Sequence, residues 1–378
     1  MRSIFHRSFS SLLRFSSNNL PPLSAFSSTR FHSSPSPNAN PNPNPNPIPR
    51  PPTRTPLEKQ FDSSIARLRP GFTSSDVIAA LRSQTDADLA FDIFRWTALQ
   101  RGYRHSPDAY GAIIDIASSG HRTGHAETLI EEVLAGACPP DLDLYNSIIR
   151  FCCRHRHLFN RAFDVFKKMR CSQGCKPSLE TYSMLLNCLL RRFNRLHVCY
   201  IYLHAVRSLH KQMKASGVIP DTLTLNLIVK AYSKCLEMDE AIRIFHQMGL
   251  YGCEPDRYTY SYIAKGLCEK GRVSQGFEFY KEMRKKALVP TSSTYMILIC
   301  SVSMERRLKD GIDAMFDMLS NSMIPDHLTY QTLLEGLCRE GRGNEAFALL
   351  EELRSKGSAM GEKTYNSLLD SLYLFNRG

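Results

Sequence analysis

The chain has 378 residues, of which 43% are apolar and 22% charged, enough to bury a core and too apolar for a disordered polymer. No apolar run is long enough to cross a bilayer, so no membrane contact is expected. The formal net charge of +12 points to a polyanionic partner.

Residues 1–35 read as an organelle-targeting peptide. They are rich in Ser and Arg, and no acid precedes Glu58. Apolar and basic groups interleave, as in Ile4-Phe5-His6-Arg7 and Leu12-Leu13-Arg14-Phe15. That is the amphipathic, Arg-rich class of presequence, and it lacks the unbroken apolar core of a secretory signal. Arginines mixed with Phe and Leu favour a mitochondrial address over a chloroplast one. Residues 36–57 alternate Pro with Asn (Pro41-Asn42-Pro43-Asn44) and predict an extended linker. Beyond the linker, residues 58–141 carry −4, residues 142–221 carry +10, and residues 222–378 balance. A block of +10 on a chain otherwise near neutral suggests contact with nucleic acid.

Residues 58–106 predict an N-terminal helical region of weak pattern. Its hairpin at 73–106 has Ala90, Ile93 and Phe94 on one face, with Trp96 in the same helix off that stripe. From about residue 107 an internal period takes over. One row reads Tyr110, Tyr145, Tyr182, Leu225, Tyr260, Tyr295, Tyr330, Tyr365, with the last four steps all 35. Met248, Met283, Met318 and Leu353 repeat that step, as do Ala241, Gly276, Gly311 and Ala346. The units are about 107–141, 142–178, 179–221, 222–256, 257–291, 292–326, 327–361 and a partial 362–378.

Each unit reads as two helices. In 222–256 the first runs roughly from Thr224 to Lys234, with Leu227, Ile228 and Ala231 on one face. The second begins near Asp239, and its stripe is Ala241, Ile244, Phe245 and Met248. Gly252 ends it, Pro255 blocks continuation, and Asp256 leads into the next turn. The same grammar recurs as Gly217…Pro220-Asp221, Ala287…Pro290-Thr291 and Asn321…Pro325-Asp326. A hairpin of this size cannot bury its apolar face alone, so stacking into an all-α solenoid with a concave groove is predicted. The unit 179–221 is longer than the others, which predicts a lengthened or bulged second helix.

The twelve cysteines lie between Cys138 and Cys338, with no secretory signal and no Cys-x-x-Cys pair. Disulfides are not expected. Cys152, Cys153, His155 and His157 crowd one stretch, but small buried helix residues account for them better than zinc does. No Walker loop, Gly-x-Ser-x-Gly, His-Glu-x-x-His or zinc deaminase signature occurs, and the chain ends inside a repeat. No catalytic role, metal or cofactor is therefore expected.

The strings Leu142-Asp143-Leu144-Tyr145-Asn146, Thr259-Tyr260-Ser261, Gly266-Leu267-Cys268-Glu269-Lys270-Gly271-Arg272, Gly336-Leu337-Cys338-Arg339-Glu340-Gly341-Arg342 and Glu345-Ala346 resemble the pentatricopeptide repeat family of organelle RNA-binding proteins, in its plain P-type form. The closing Gly252–Asp256 pattern matches as well. The resemblance covers about 73–378. The related tetratricopeptide repeat has a period of about 34 and a Trp…Leu-Gly…Tyr pattern missing here.

The resemblance implies a right-handed superhelical α-solenoid of stacked helix-turn-helix hairpins. It also implies binding of single-stranded organellar RNA, one base per repeat. In the family, the reading positions follow the helix-one tyrosine and the closing proline. Here the pairs are Asn146 with Ser178, Ser183 with Asp221, Asn226 with Asp256, and Ser261 with Thr291. The first three resemble cytosine-, guanine- and uracil-reading combinations. Gly111 with Asp141, Met296 with Asp326 and Gln331 with Gly361 depart from the readable pairs. Asn226 is expected at the groove surface, where its removal spares the fold; a capping role for Asn146 and Asn226 is the plainer alternative. Arg191, Arg192 and Arg195 offer phosphate contacts or a solvated turn. Tyr200 and Tyr202 could stack bases but fit packing better. Two of the three readable units make up the +10 block, so base reading and backbone attraction are expected to share one segment. Such a binder would serve transcript processing, stabilisation, splicing or translation. The other reading is a helical scaffold for proteins, for example in organellar processing or ribosomal complexes.

Overall fold

Residues 55–172, 174–193, 196–356 and 360–376 are described in the computed structural model. The targeting segment and Arg195 fall outside them. The described residues form helices and turns with no strand. In chain order the helices are α1 (Pro56–Arg67), α2 (Ser74–Arg82), α3 (Ala87–Ala98), α4 (Pro107–Ser119), α5 (Thr123–Ala135), α6 (Leu142–Arg154), α7 (Phe159–Cys171), α8 (Leu179–Leu190) and α9 (Leu196–Ala215). There follow α10 (Thr222–Lys234), α11 (Met238–Gln247), α12 (Arg257–Glu269), α13 (Val273–Lys285), α14 (Ser292–Met304), α15 (Leu308–Ser320), α16 (His327–Arg339), α17 (Gly343–Lys356) and α18 (Glu362–Asn376).

The helix starts follow from local chemistry. Thr55 and Glu58 form a capping box that opens α1 with Pro56 in its first turn, inside the segment read as linker. Further on, the residue after the closing proline caps the next first helix at every such position but one. Asp141 Oδ1 accepts the Leu144 N–H at 2.8 Å, Asp221 Oδ1 that of Thr224 at 2.8 Å, and Asp326 Oδ1 that of Thr329 at 2.9 Å. Thr291 makes no such bond to the backbone.

In the units 107–141, 222–256, 257–291 and 292–326 two turns adopt left-handed backbone, and sequence supplies glycine at only some of them. Within hairpins the positions include His121, Leu236, Gly271, Arg306 and Gly341; between hairpins they include Gly136, Gly174, Gly217, Gly252, Ala287 and Ser322. At the close of the unit 292–326 the left-handed residue is thus Ser322, not Asn321. Asn321 instead donates its side-chain N–H to the Asp317 carbonyl at 2.7 Å.

Two second helices depart most from the common length. α9 is 20 residues long where most second helices have 13, as the extra length of its unit predicts. In contrast, α11 stops after 10 residues and finishes as a 3-10 turn, Met248–Tyr251, with Gly249 inside it. Glycine is a poor helix former, and helix ends tighten readily into 3-10 geometry.

The periodic rows are the core. Tyr145, Tyr182, Tyr260, Tyr295 and Tyr330 are all but fully buried, and so are Met169, Met213, Met248, Met283 and Met318. Several tyrosine hydroxyls reach polar groups at the end of their own second helix: Tyr145 to Ser172 at 2.8 Å, Tyr260 to Glu282 at 2.6 Å, and Tyr295 to Asp317 at 2.6 Å. Asp317 also accepts from Tyr280 at 2.8 Å and Arg284 at 2.8 Å, joining two units. The small-residue row marks where helices within a hairpin touch: a Cβ at Gly276 would lie 2.8 Å from Cys268 Sγ and 2.9 Å from the Ala264 carbonyl. The cysteines are core residues here too. Cys152 is buried, and burial pushes its thiol up to about 12, which keeps it protonated. Among the described residues no cluster of three or more His, Cys, Asp or Glu side chains is placed to hold a metal.

Each first helix packs on the first helix before and after it, from α2 through α4, α6, α8, α10, α12, α14 and α16 to α18. Second helices pack mainly on the first helices of their own and the following hairpin. The first helices therefore form the close-packed inner wall and the second helices the outer layer, the geometry of a solenoid.

Two consequences are measurable. Ala287 and Arg306 are exposed and hold φ of 56° and 61°, so Ala287→Gly and Arg306→Gly each raise stability by about 0.5–1 kcal/mol in denaturant titration, whereas Gly252→Ala lowers it. Burial pushes His105 and His210 each down to about 4. His105 stacks on the Phe94 ring at 3.7 Å and bonds the Phe94 carbonyl through Nε2 at 3.0 Å, with Nδ1 buried and unpaired. Both imidazoles are neutral in the fold and protonate more readily when it opens. Stability is then complete above about pH 6.5 and is lost as pH falls towards about 4. Melting midpoints at pH 7 and 5 should converge in the His105→Phe, His210→Leu double variant.

Candidate nucleic-acid interface

The first helices bring the sequence-predicted readers into one seam. Asn146, Asn226 and Ser261 sit one residue past the buried row, on α6, α10 and α12, where each first helix meets the next. They are only 3%, 5% and 1% exposed. The expectation of a surface amide at Asn226 is thus corrected, because neighbouring first helices approach too closely to leave that position open. Nor do these asparagines cap their own helices; they bridge to the following one.

The bridge has a partner that the sequence reading passed over. The residue just before the tyrosine position is Thr181, Thr224, Thr259, Thr294 and Thr329 in successive units, all buried. Thr181 Oγ1 donates to Asn146 Oδ1 at 2.6 Å, and Thr259 Oγ1 to Asn226 Oδ1 at 2.6 Å. Ser183 and Thr224 share a hydroxyl bond of 2.8 Å. The 35-residue spacing of the last four threonines was the available signal.

The second members of the pairs are more open. Asp221 is exposed, and Ser178, Asp256 and Thr291 are half-buried. Asn226 Nδ2 donates to Asp256 Oδ1 at 2.9 Å. A carboxylate only accepts, so this bond fixes which end of the amide carries nitrogen. Asp256 Oδ1 also takes the Tyr258 and Thr259 N–H groups, each at 2.9 Å, so one carboxylate caps α12 and orients the amide. In the pair Ser261–Thr291 the link is the Thr291 N–H to Ser261 Oγ at 3.3 Å. Asn146 and Ser178 meet only through Thr181, whose hydroxyl lies 3.2 Å from Ser178 Oγ.

Exposed side chains flank this seam. Tyr258 stands beside Asp256 with the Arg257 guanidinium 5.2 Å from its ring centroid, and Leu223 occupies the same place on α10. An open aromatic face next to an oriented amide can stack a base while the amide meets its edge.

Of the basic residues singled out, Arg191 is exposed at the end of α8. Arg192 is engaged: it donates to the Arg156 carbonyl at 2.5 Å and covers the Phe159 ring at 4.6 Å. Tyr202 packs edge-on against Phe159 at 5.7 Å, while Tyr200 is exposed on α9 in the outer layer. Much of the +10 block also lies on outer helices α7 and α9. There Arg161 pairs with Glu131, Arg170 reaches Gln212 at 2.7 Å, and Lys214 sits over Tyr251 at 5.6 Å. The sequence-predicted readers and much of that charge share a segment of sequence but occupy different layers.

The sequence model of the PPR repeat family matches residues 140–191, 220–269, 265–303 and 325–373. The chain belongs to the pentatricopeptide repeat family. A pentatricopeptide repeat-containing protein of Arabidopsis thaliana, named as mitochondrial, is 64% identical over 198 residues, or 52% of each chain. A second from the same plant, also named as mitochondrial, is 33% identical over 50% of this chain and 43% of its own length. The chain thus spans about half the length of these relatives. Among solved structures, the pentatricopeptide repeat protein PPR10 from maize covers 83% of this chain and 44% of its own, with 22% identity and a TM-score of 0.55. That likeness bears on the fold and agrees with the solenoid.

Because Asn226 holds two hydrogen bonds across the seam, Asn226→Ala lowers stability by about 1–3 kcal/mol in urea denaturation of the full chain. A loss below a few tenths would mean that the amide is free in solution.

Proposed function

We propose that this pentatricopeptide repeat protein binds single-stranded RNA in mitochondria, without chemistry of its own, and acts on transcripts by occupying them. The observation that carries this reading is the Asn226–Asp256 bond of 2.9 Å. It joins two side chains thirty residues apart into one oriented donor–acceptor pair at the rim of the inner wall, next to the exposed ring of Tyr258. Pentatricopeptide repeats read RNA one base per repeat with such pairs. Asp256 presents a half-buried carboxylate, and the amide has a second N–H beyond the one given to Asp256. A base edge that reaches the Asp256 carboxylate has to part the seam to meet the buried amide, exchanging the Thr259 bond for its own.

On this reading, the pairs of units 142–178, 179–221 and 222–256 select cytosine, guanine and uracil in order along the array. The mitochondrial address rests on the acid-poor, Arg-rich first 35 residues and on the names of both plant relatives.

Fluorescence anisotropy with the full chain tests the reading. Single strands carrying C-G-U in either polarity should bind, and their duplexes should compete poorly. With three or four phosphate contacts, affinity should fall about 20- to 50-fold between ~50 and ~200 mM salt. Equal affinity for duplex and single strand would remove the groove from the account, and a protein-binding scaffold would take its place.

A further inference from the structure

One helical turn past each reading position, on the same face of the first helix, stands a second row of side chains. The bond from Gln331 Nε2 to Glu335 Oε1, 2.6 Å across those two positions on α16, shows that they share a face. In the four units from 142 to 291 this row holds Arg150, Asn187, Lys230 and Lys265. In the unit before it holds Asp115. In the units after, it holds Cys300, then Glu335, then Asp370. The sign runs from negative to positive and back to negative along one wall.

The cations are placed to take up an anion. Arg150 reaches across the seam to Glu180 at 2.6 Å, with both side chains substantially exposed. Lys230 reaches across the next seam but one and lies over the Tyr262 ring at 5.3 Å. Lys265 lies 3.9 Å from Glu269 on its own helix. Exposed pairs of this kind are weak, so a phosphate can replace the carboxylate at little cost. Glu335 is different: its side chain is only 14% exposed, held by Gln331 and by Arg339 at 2.9 Å. It is a carboxylate fixed on the wall, with Arg339 as its counter-ion. The seam chemistry changes at the same place. Hydroxyl and amide bridges join the reading positions of 142–256 to the next helix, whereas Met296 offers none.

We infer that a bound strand occupies only the four hairpins 142–291, its phosphates on Arg150, Lys230 and Lys265, and that Asp115 and Glu335 close this track at its two ends. The inference rests on the RNA-binding reading above and adds its extent: about four nucleotides at one base per repeat, with α14–α18 outside the track.

The test is a ladder of single-stranded RNAs of about 3 to 10 nucleotides carrying C-G-U in either polarity, bound to the full chain and to Lys230→Gln and Glu335→Gln. The circular dichroism of all three proteins is compared first. Affinity should climb to about four nucleotides and then level. Lys230→Gln should reduce the salt slope by about 0.7 and weaken binding several-fold. Glu335→Gln should move the plateau to longer strands. Affinity that keeps climbing to about seven nucleotides, or a salt slope untouched in Lys230→Gln, would overturn the track while leaving RNA binding in place. Absence of binding at every length would overturn the RNA-binding reading itself.

Discussion

The contact between one first helix and the next is the constraint on which the rest of this protein depends. A pair of helices 13 residues long presents an apolar stripe with nothing of its own to cover it. Each stripe is closed by the neighbouring hairpin, and the tyrosine row sits at the centre of that closure. Removing one such ring would cost about 3–5 kcal/mol by the usual scale for large buried aromatics. The spacing that lets tyrosines pack is also the spacing that brings Asn146, Ser183, Asn226 and Ser261 into register along the inner wall.

That coupling gives single residues two duties. Asp256 closes one unit, caps the next helix and orients the amide of Asn226 with the same oxygen. Thr259 keeps the seam shut and, on the proposed reading, sits where a base arrives. On that reading recognition is built from groups already satisfied within the protein, which holds them in position before any partner binds. The cost is that a ligand gains only the difference between its own hydrogen bonds and those it displaces.

Much of this was legible in the sequence because period and burial are tied together: a residue recurring every 35 positions on an apolar stripe has nowhere to go but the core. The helices, the turns at Gly252 and Gly217, and the long α9 all followed from spacing and turn chemistry. What could not be read was which layer a polar residue faces. The arginines and lysines of 142–221 look like one basic block in sequence, yet Arg161, Arg170 and Lys214 belong to the outer helices and find partners there. Likewise Asn226 looks like a groove residue by its place after the tyrosine row. Its burial depends on how closely α10 and α12 approach, a distance that no one-dimensional pattern encodes. Backbone strain was equally hidden, since Leu236 and Arg306 occupy turns that sequence alone would give to glycine.

The apolar interior has two groupings that meet inside one hairpin. Tyr260, Ile263, Leu267 and Met283 belong with the helices before them, whereas Cys268, Val273, Phe277 and Tyr280 belong with those after. The boundary runs through the α12–α13 hairpin, whose two helices make the most extensive contact of any helix pair among the described residues. In a linear array each unit is held by its neighbours, so this hairpin is the coupling between two cars of a train.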